Sequence, residues 1–560
     1  MNESPAAFYL HHLGMVNCLG QSADEIYAHM MLGDRSGFVE DSDSIPGATV
    51  LKGVCDAELP SLPPELSRHT TRNNQLILAA ILQVEDEWRA TIARYGSSQV
   101  AVVIGSSTSG IREGEAAAMQ RHASGAYPAD FHLQQQGMGS PSDFIAAYLE
   151  ISGPAYTISS ACTSSAKALA SARNLLAAGI CKAVVTGGSD SLCGLTLNGF
   201  FSLDTLSRGH CNPMSKNRDG IVIGEACALF LMTCEGPGIR LLGTGESSDA
   251  HHISAPQPEG IGAEAAMRAA LRDAALAPGD IDYINLHGTA TPQNDAMESN
   301  AVERVFGTAT PCSSTKGLTG HTLGAAGATE AGLCWLALDR ADGEMIVPPH
   351  RWDEAHDDSL PPLNFAGLEH TISIGDSAAV LSSSFAFGGS NCCIVLGKKD
   401  NGSAGDGLPY AIEDVLPHRG RMILLDSIVA CSVEHAESLA KISDSNIFFD
   451  PARNGVPAWI GYEYMAQTMA AHSGIRARIR GEAVRVGLLV GNRSGTCHVP
   501  YFLERQVLHT SVHLIMDSDG MGVFDCKIED ADTRACLMEA IVNVFLPPDI
   551  EAFIKEARAE

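Results

Sequence analysis

The chain has 560 residues, 45% hydrophobic and 18% charged, a globular composition that excludes a disordered chain. Its formal net charge of −29 excludes the concentrated positive field that nucleic-acid binding needs, and disfavours adhesion to an anionic membrane. Roughly two to four folding units are expected at this length.

The opening Met1-Asn2-Glu3-Ser4-Pro5 lacks a basic stretch followed by a long apolar core. No apolar run approaches the ~20 residues that span a bilayer. No transmembrane segment and a cytoplasmic location with reduced thiols are therefore expected. The 16 cysteines show no repeated spacing. Cys392-Cys393 lies in an apolar run and reads as two buried free thiols, and no metal site is expected.

Taken in order, residues 100–104 read as a buried strand followed by a Gly/Ser loop. Residues 155–158 form a short apolar run that leads into Ser159-Ser160-Ala161-Cys162-Thr163-Ser164-Ser165, and a small-residue helix pattern continues to about Gly179. Cys162 thus stands where a strand enters a helix, and the positive helix end is expected to lower its pKa. A third strand is expected over 183–186, a helix over 265–276, and a strand over 281–286 that runs directly into His287. Buried strands alternating with helices indicate α/β layers. Strands that end in a reactive residue, first Cys162 and then His287, hint at two related halves.

Residues 398–407, Lys398-Lys399-Asp400-Asn401-Gly402 onward, are polar, Gly-rich and aperiodic, and read as a linker. They divide an N-terminal domain, 1–397, from a C-terminal part, 408–560. In the latter a long apolar helix over 458–478 follows a strand candidate at 423–430. Further strand candidates fall at 484–490, 507–516, 523–528 and 540–546. One helix wrapped by an antiparallel sheet is the economical α+β reading.

The chemistry suggested by one cysteine and two histidines is covalent acyl transfer. A thiolate can take an acyl group from a thioester. The resulting enzyme thioester can acylate a carbanion made by decarboxylating a malonyl thioester, provided that donors meet the developing enolate oxygen. Two neutral imidazoles can supply them. The cysteine's own N–H, with another from the turn Phe385-Ala386-Phe387-Gly388-Gly389-Ser390-Asn391, can form an oxyanion hole.

Five blocks resemble the β-ketoacyl-ACP synthase family. They are Ser160 to Ser164, Asn217-Arg218-Asp219-Gly220 with Gly224-Glu225, and His287-Gly288-Thr289-Ala290-Thr291 with Asn294-Asp295. The others are Lys316-Gly317-Leu318-Thr319-Gly320-His321 with Gly324-Ala325-Ala326-Gly327, and Phe385 to Asn391. The resemblance spans about residues 8–397 and implies a thiolase-like αβαβα fold, a homodimer or a heterodimer with a related condensing-enzyme subunit, and Claisen condensation with malonyl-ACP. It assigns Cys162 as the acylated nucleophile and His287 and His321 as promoters of decarboxylation. Lys316 would orient His321, with Glu330 behind it. Thr289 and Thr291 would touch the phosphopantetheine arm of a separate acyl carrier protein. Phe387 would be a gate, with Phe385 beside it in the substrate site. No bound cofactor is expected. A thiolase would pair the nucleophile with a second cysteine and a single histidine, so a CoA-dependent thiolase is the remoter alternative. Ala290 replaces a usual Gly, and Cys211-Asn212-Pro213-Met214-Ser215 replaces a usual Arg-Pro-Phe-Asp. Both are expected near the pocket and leave the acyl substrate open.

Glu463 and Gln467 are spaced i, i+4 on the C-terminal helix and share a face. Leu416-Pro417-His418-Arg419 and the helix around Trp459, Glu463 and Gln467 resemble hotdog-fold 3-hydroxyacyl-ACP dehydratases, closest to those of aryl-polyene pathways, over about residues 408–548. Water elimination needs a base and an acid. The stretch preceding the helix, 447–455, has no histidine, which leaves Glu463 with His418 or His472 as candidates, and Asp450 reads as a turn residue. The alternative is a non-catalytic hotdog scaffold that binds a partner dehydratase. No dinucleotide fingerprint is evident, so a separate ketoreductase is implied.

Overall fold

The computed structural model describes residues 7–399 except 57, 237 and 375–376, and residues 412–547 except 432–434, 480–482, 519 and 532. Contacts divide the chain into two compact units between residues 400 and 401. The linker expected at 398–407 lies outside the described residues from 400 onward. Among the described residues no helix is long and apolar enough to cross a membrane.

The first unit is built on an eleven-stranded sheet. One half runs Ala155–Ile158, Val100–Gly105, Ala183–Asp190, Ala226–Thr233, Tyr9–Asn17; its successive pairings are parallel, parallel, antiparallel, antiparallel. The other half runs Pro311–Ser313, Tyr283–Asn285, Ser377–Phe385, Ser390–Lys399, Ile239–Ser248 and repeats that series of pairings. Asn364–Phe365 adds a short edge. The two halves are therefore related, but the correspondence differs from the one expected. Ala155–Ile158, which leads to Cys162, matches Pro311–Ser313, which leads to His321. His287 matches the loop after Val100–Gly105.

Helices Ser164–Ala177 and Ala326–Asp339 pack on each other and against strands of both halves. Twelve of the fourteen residues of Ala326–Asp339 are buried, as expected of a helix apolar all round. Small residues make that layer possible: a Cβ added to Gly327 would lie 2.8 Å from Cβ of Ala166. Arg72–Ile81 and Ser140–Tyr148 cover the first half, and Ile261–Ala274 covers the second. The result is the αβαβα layering. The strand sequence Val-Ala-Val-Val-Ile-Gly over Val100–Gly105 is wholly buried because helices lie on both faces.

The second unit wraps a six-stranded antiparallel sheet around helix Gly461–Ile479. The strand order is Ser427–Cys431, His435–Lys441, Val507–Ser518, Met521–Asp530, Cys536–Phe545, Leu488–Cys497. Tyr464, Met465, Met469 and Ile475 bury the helix's inner face against Leu508, Val512, Cys526 and Val542. Two expectations change here. The strand expected from 484 begins at Leu488, and His435–Lys441 is a strand that the sequence reading leaves unassigned.

Candidate active site

Cys162 sits at the tip of an elbow. Ala161 before it has φ +53°, a left-handed conformation that a side chain adopts only when held there. The hold is local: Ser164 donates Oγ and N–H to the Ala161 carbonyl at 2.6 and 3.1 Å, and Ser160 N–H donates to Ser164 Oγ at 2.9 Å. Helix Ser164–Ala177 starts two residues on.

Both histidines reach this tip. His321 Nε2 lies 3.1 Å from Cys162 Sγ, and the two imidazoles stand edge to face with centroids 5.3 Å apart. Donor atoms of Cys162, His287 and His321 all lie within 4.8 Å of one another. Neighbouring donors select the tautomers. Leu323 N–H donates to His321 Nδ1 at 3.1 Å, which leaves the proton on Nε2, facing the sulfur. The Lys316 ammonium stands 3.2 Å from His287 Nδ1 and likewise leaves the proton on Nε2. Lys316 also forms a buried ion pair with Glu330. The expected partner of Lys316 thus changes: it contacts His287, and it acts on His321 by charge.

Burial dominates the electrostatics. Burial and then the Lys316 charge hold both imidazoles well below the usual range, so both are neutral donors. Burial pushes the Cys162 thiol up to about 11, against the Lys316 ammonium and the Phe387 N–H, which lower it. This corrects the expected low pKa: desolvation outweighs the helix end, and the resting group is a thiol. Burial also raises the Glu330 carboxyl, and Lys316 pulls it back.

The cavity over Cys162 is lined by Phe200, Thr289, Thr291, Phe385, Phe387 and Asn391, among others. Thr289 and Thr291 pair their hydroxyls at 2.9 Å. Phe385 meets His287 edge-on at 5.8 Å, and Phe387 packs on Phe200 at 5.5 Å. The turn that carries Phe387 has two successive left-handed residues, Gly388 (φ +88°) and Gly389 (φ +76°), where glycine avoids the Cβ clash.

One supporting residue escapes the sequence reading. Glu298 of helix Pro292–Phe306 accepts from the N–H groups of His287 and Gly288 at 2.6 and 2.7 Å and anchors the histidine's backbone. Its burial raises it to about 8. Asp295 of the same helix accepts from Thr289 and Met214 N–H. The signal in the sequence is an acid recurring three residues on along one helix face. Of the two unusual positions, Ala290, with φ +63°, stands between the cavity-lining Thr289 and Thr291, and Cys211 donates to the Lys316 carbonyl.

In the second unit, His418 Nε2 lies 3.5 Å from Glu463 Oε1, and both side chains are about one-third exposed, 27% and 31%. Gln467 donates to the same carboxylate oxygen at 2.9 Å while bonding the backbone at Met422 and Leu424. His418 Nδ1 is buried without a partner among the described residues. His472 is buried and packs edge-on against Phe524, so His418 is the imidazole beside Glu463. Asp450 caps a turn through Ala452 N–H.

Residues 33–235 and 239–350 match the family models described as Beta-ketoacyl synthase, N-terminal and C-terminal domain, and residues 410–555 match the one described as ApeP dehydratase. A 3-oxoacyl-(acyl-carrier-protein) synthase 2 of Vibrio harveyi is 30% identical over 415 residues, 69% of this chain and 97% of the relative. One of Coxiella burnetii is 30% identical over 411 residues, with the same shares. A solved ketosynthase (ApeO), in complex with its chain length factor (ApeC), from Xenorhabdus doucetiae is 46% identical with TM-score 0.66, covering 71% of this chain and 100% of that one. The chain belongs to the β-ketoacyl synthase family and is a condensing enzyme that also carries a dehydratase-type domain.

Proposed function

We propose that this enzyme extends an acyl group on a carrier protein by two carbons through Cys162, within aryl-polyene-type synthesis. The observation that carries this reading is the Cys162 sulfur 3.1 Å from His321 Nε2, beside a second neutral imidazole. The Cys162 thiol attacks an acyl thioester, and its proton leaves with the departing pantetheine thiol. Thr289 and Thr291 hold the carrier's phosphopantetheine arm, and the Phe387 N–H joins that of Cys162 in the oxyanion hole. Malonyl thioester then loses carbon dioxide. The electron pair of the broken bond becomes an enolate whose oxygen takes N–H bonds from His287 and His321. The enolate carbon attacks the acyl carbonyl, the C–S bond to Cys162 breaks, and the thiolate regains a proton from solvent. Phe387 separates the two half-reactions as a gate.

We assign the condensing domain to 1–397, the linker to 398–407, whose first two residues complete strand Ser390–Lys399, and the hotdog domain to 408–560. The proposed partners are an acyl carrier protein, a ketoreductase and either a second copy or a chain-length-factor subunit, all in the cytoplasm. His418 and Glu463 would dehydrate the reduced product, with the carboxylate held by Gln467. A second reading, a scaffold that binds a partner hotdog protein, has its own observation. Edge strand Leu488–Cys497 is mostly exposed, with Leu489 and Val490 at 50% and 59%, and an open edge is a template for pairing.

The test is incubation of the full chain with acyl-ACP and malonyl-ACP. A 3-oxoacyl-ACP product supports the reading, and turnover of acyl-CoA without any malonyl requirement overturns it in favour of a thiolase.

A further inference from the structure

Asp190 ends strand Ala183–Asp190, is fully buried, and belongs to none of the chemistry described above. Its carboxylate gathers six donors. Ser106 Oγ, Ser107 N–H, Thr108 N–H and Thr108 Oγ1 reach Oδ1 at 2.7, 2.9, 2.9 and 2.9 Å. Ser107 Oγ and Gly324 N–H reach Oδ2 at 2.5 and 2.6 Å. All but the last come from three consecutive residues in the loop after Val100–Gly105. The Gly324 N–H comes from a different loop, next to His321. A carboxylate that accepts this many bonds is a joint between two loops.

The second loop is the consequential one. Leu323 has φ +55°, strained for a leucine and so in need of support. Its N–H is the group that donates to His321 Nδ1, and the next N–H, from Gly324, is the one Asp190 holds. There is no slack on the other side, because a Cβ at Gly324 would lie 2.7 Å from Ser107 N and 2.8 Å from Asp190 Oδ2. We infer that Asp190 is a positioning residue that fixes the His321 tautomer by clamping the 323–325 turn, so that Nε2 always presents a proton to the enolate oxygen.

This inference rests on the proposed role of His321 and predicts an asymmetry. With the turn released, Leu323 N–H no longer reserves Nδ1, and the ring can carry its proton there. Nε2 then offers a lone pair. That form cannot donate to an enolate oxygen, whereas acylation of Cys162 makes no use of the Nε2 proton, because the thiol proton leaves with the pantetheine thiol. Decarboxylation should suffer and acylation should not. A purely structural role would depress both alike.

The test uses the full-length wild type and Asp190→Asn, whose amide would aim hydrogens at donors that need an acceptor. Acylation of Cys162 by acyl-ACP is read by intact mass, and carbon dioxide release from malonyl-ACP is read in parallel. The expected result is decarboxylation down about 100-fold, the scale of one lost oxyanion donor, with acylation within about threefold. Equal losses in both, or no loss in either, overturn the inference. If Asp190→Asn fails a thermal-melt check, Ser107→Ala decides. It removes one hydroxyl from Oδ2 and with it the second acceptor of the Gly324 N–H, at 3.2 Å, and an unchanged ratio of the two rates overturns the inference. Decarboxylation that survives His321→Ala refutes the proposed role of His321 itself, whereas its loss there, with an unchanged ratio in the Asp190 variant, refutes only the role of Asp190.

Discussion

Lys316 holds its ammonium 3.2 Å from Nδ1 of His287, so a fixed positive charge lies behind a neutral imidazole. The arrangement keeps the ring unprotonated and points its one proton forward. Lys316 exerts the same charge on His321 and on Cys162.

The first consequence is a flat acid limb. Both imidazoles sit well below their ordinary value, so lowering the pH through 6.5 does not protonate them. Carbon dioxide release from malonyl-ACP by wild type should hold steady between about pH 8 and 6. Lys316→Met removes the second cause of the lowering and leaves the larger one, burial, so any fall in its rate should come only below pH 6.5. A wild-type rate that titrates near 6.5 would contradict the neutral-donor assignment.

The second concerns the sulfur. The Cys162 thiol stands near 11, and Lys316 is among the groups that lower it. Alkylation by iodoacetamide should therefore rise with pH throughout the stable range. Lys316→Met should raise the thiol pKa further and so leave less thiolate at pH 8. Alkylation there should slow about tenfold for every unit by which that pKa rises. Faster alkylation in the variant would reverse the sign of the argument.

The third concerns stability. Arg72 forks onto Glu225, with Nε to Oε2 at 2.8 Å and Nη2 to Oε1 at 2.5 Å, and Glu225 is fully buried. Arg72→Ala leaves that carboxylate unpaired and should cost about 3–5 kcal/mol. Thermal unfolding of the full chain reads this directly, and a loss under about 1 kcal/mol, the worth of a surface pair, would show that the pair is dispensable.

These features divide by range along the chain. The motifs around Cys162, His287 and His321 are legible because each is a local elbow or turn with its own signature. Asp190 is not legible, since its donors are more than 80 residues away in sequence, at Ser107 and Gly324. Glu298 is half-legible: it lies on a helix face shared with Asp295, but its partners are backbone amides, which no side-chain pattern marks. Strand His435–Lys441 hides for another reason. Its inward residues are Ala436, Ser438 and Ala440, too small to give an apolar rhythm, while Glu437 is buried among imidazoles.

That cluster carries a fourth expectation. Glu437 accepts from His435 and His509 at 2.8 and 2.9 Å. Burial works to raise its carboxyl, but these bonds outweigh it and bring it to about 2. A group lowered on folding contributes stability above its ordinary value of 4.5, and that stability is lost as the pH falls toward about 2. The protection of residues 435–441 against hydrogen exchange, taken relative to the intrinsic rate at each pH, should fall over that window in wild type. Glu437→Gln should be less protected at neutral pH and show less acid dependence, and an unchanged profile would remove Glu437 from the account.

The most direct measurement is the intact mass of the full chain after exposure to an acyl-ACP, beside Cys162→Ala. One acyl increment on the wild type and none on the variant is the predicted result. An adduct that persists on Cys162→Ala would contradict the claim that this sulfur carries the growing chain.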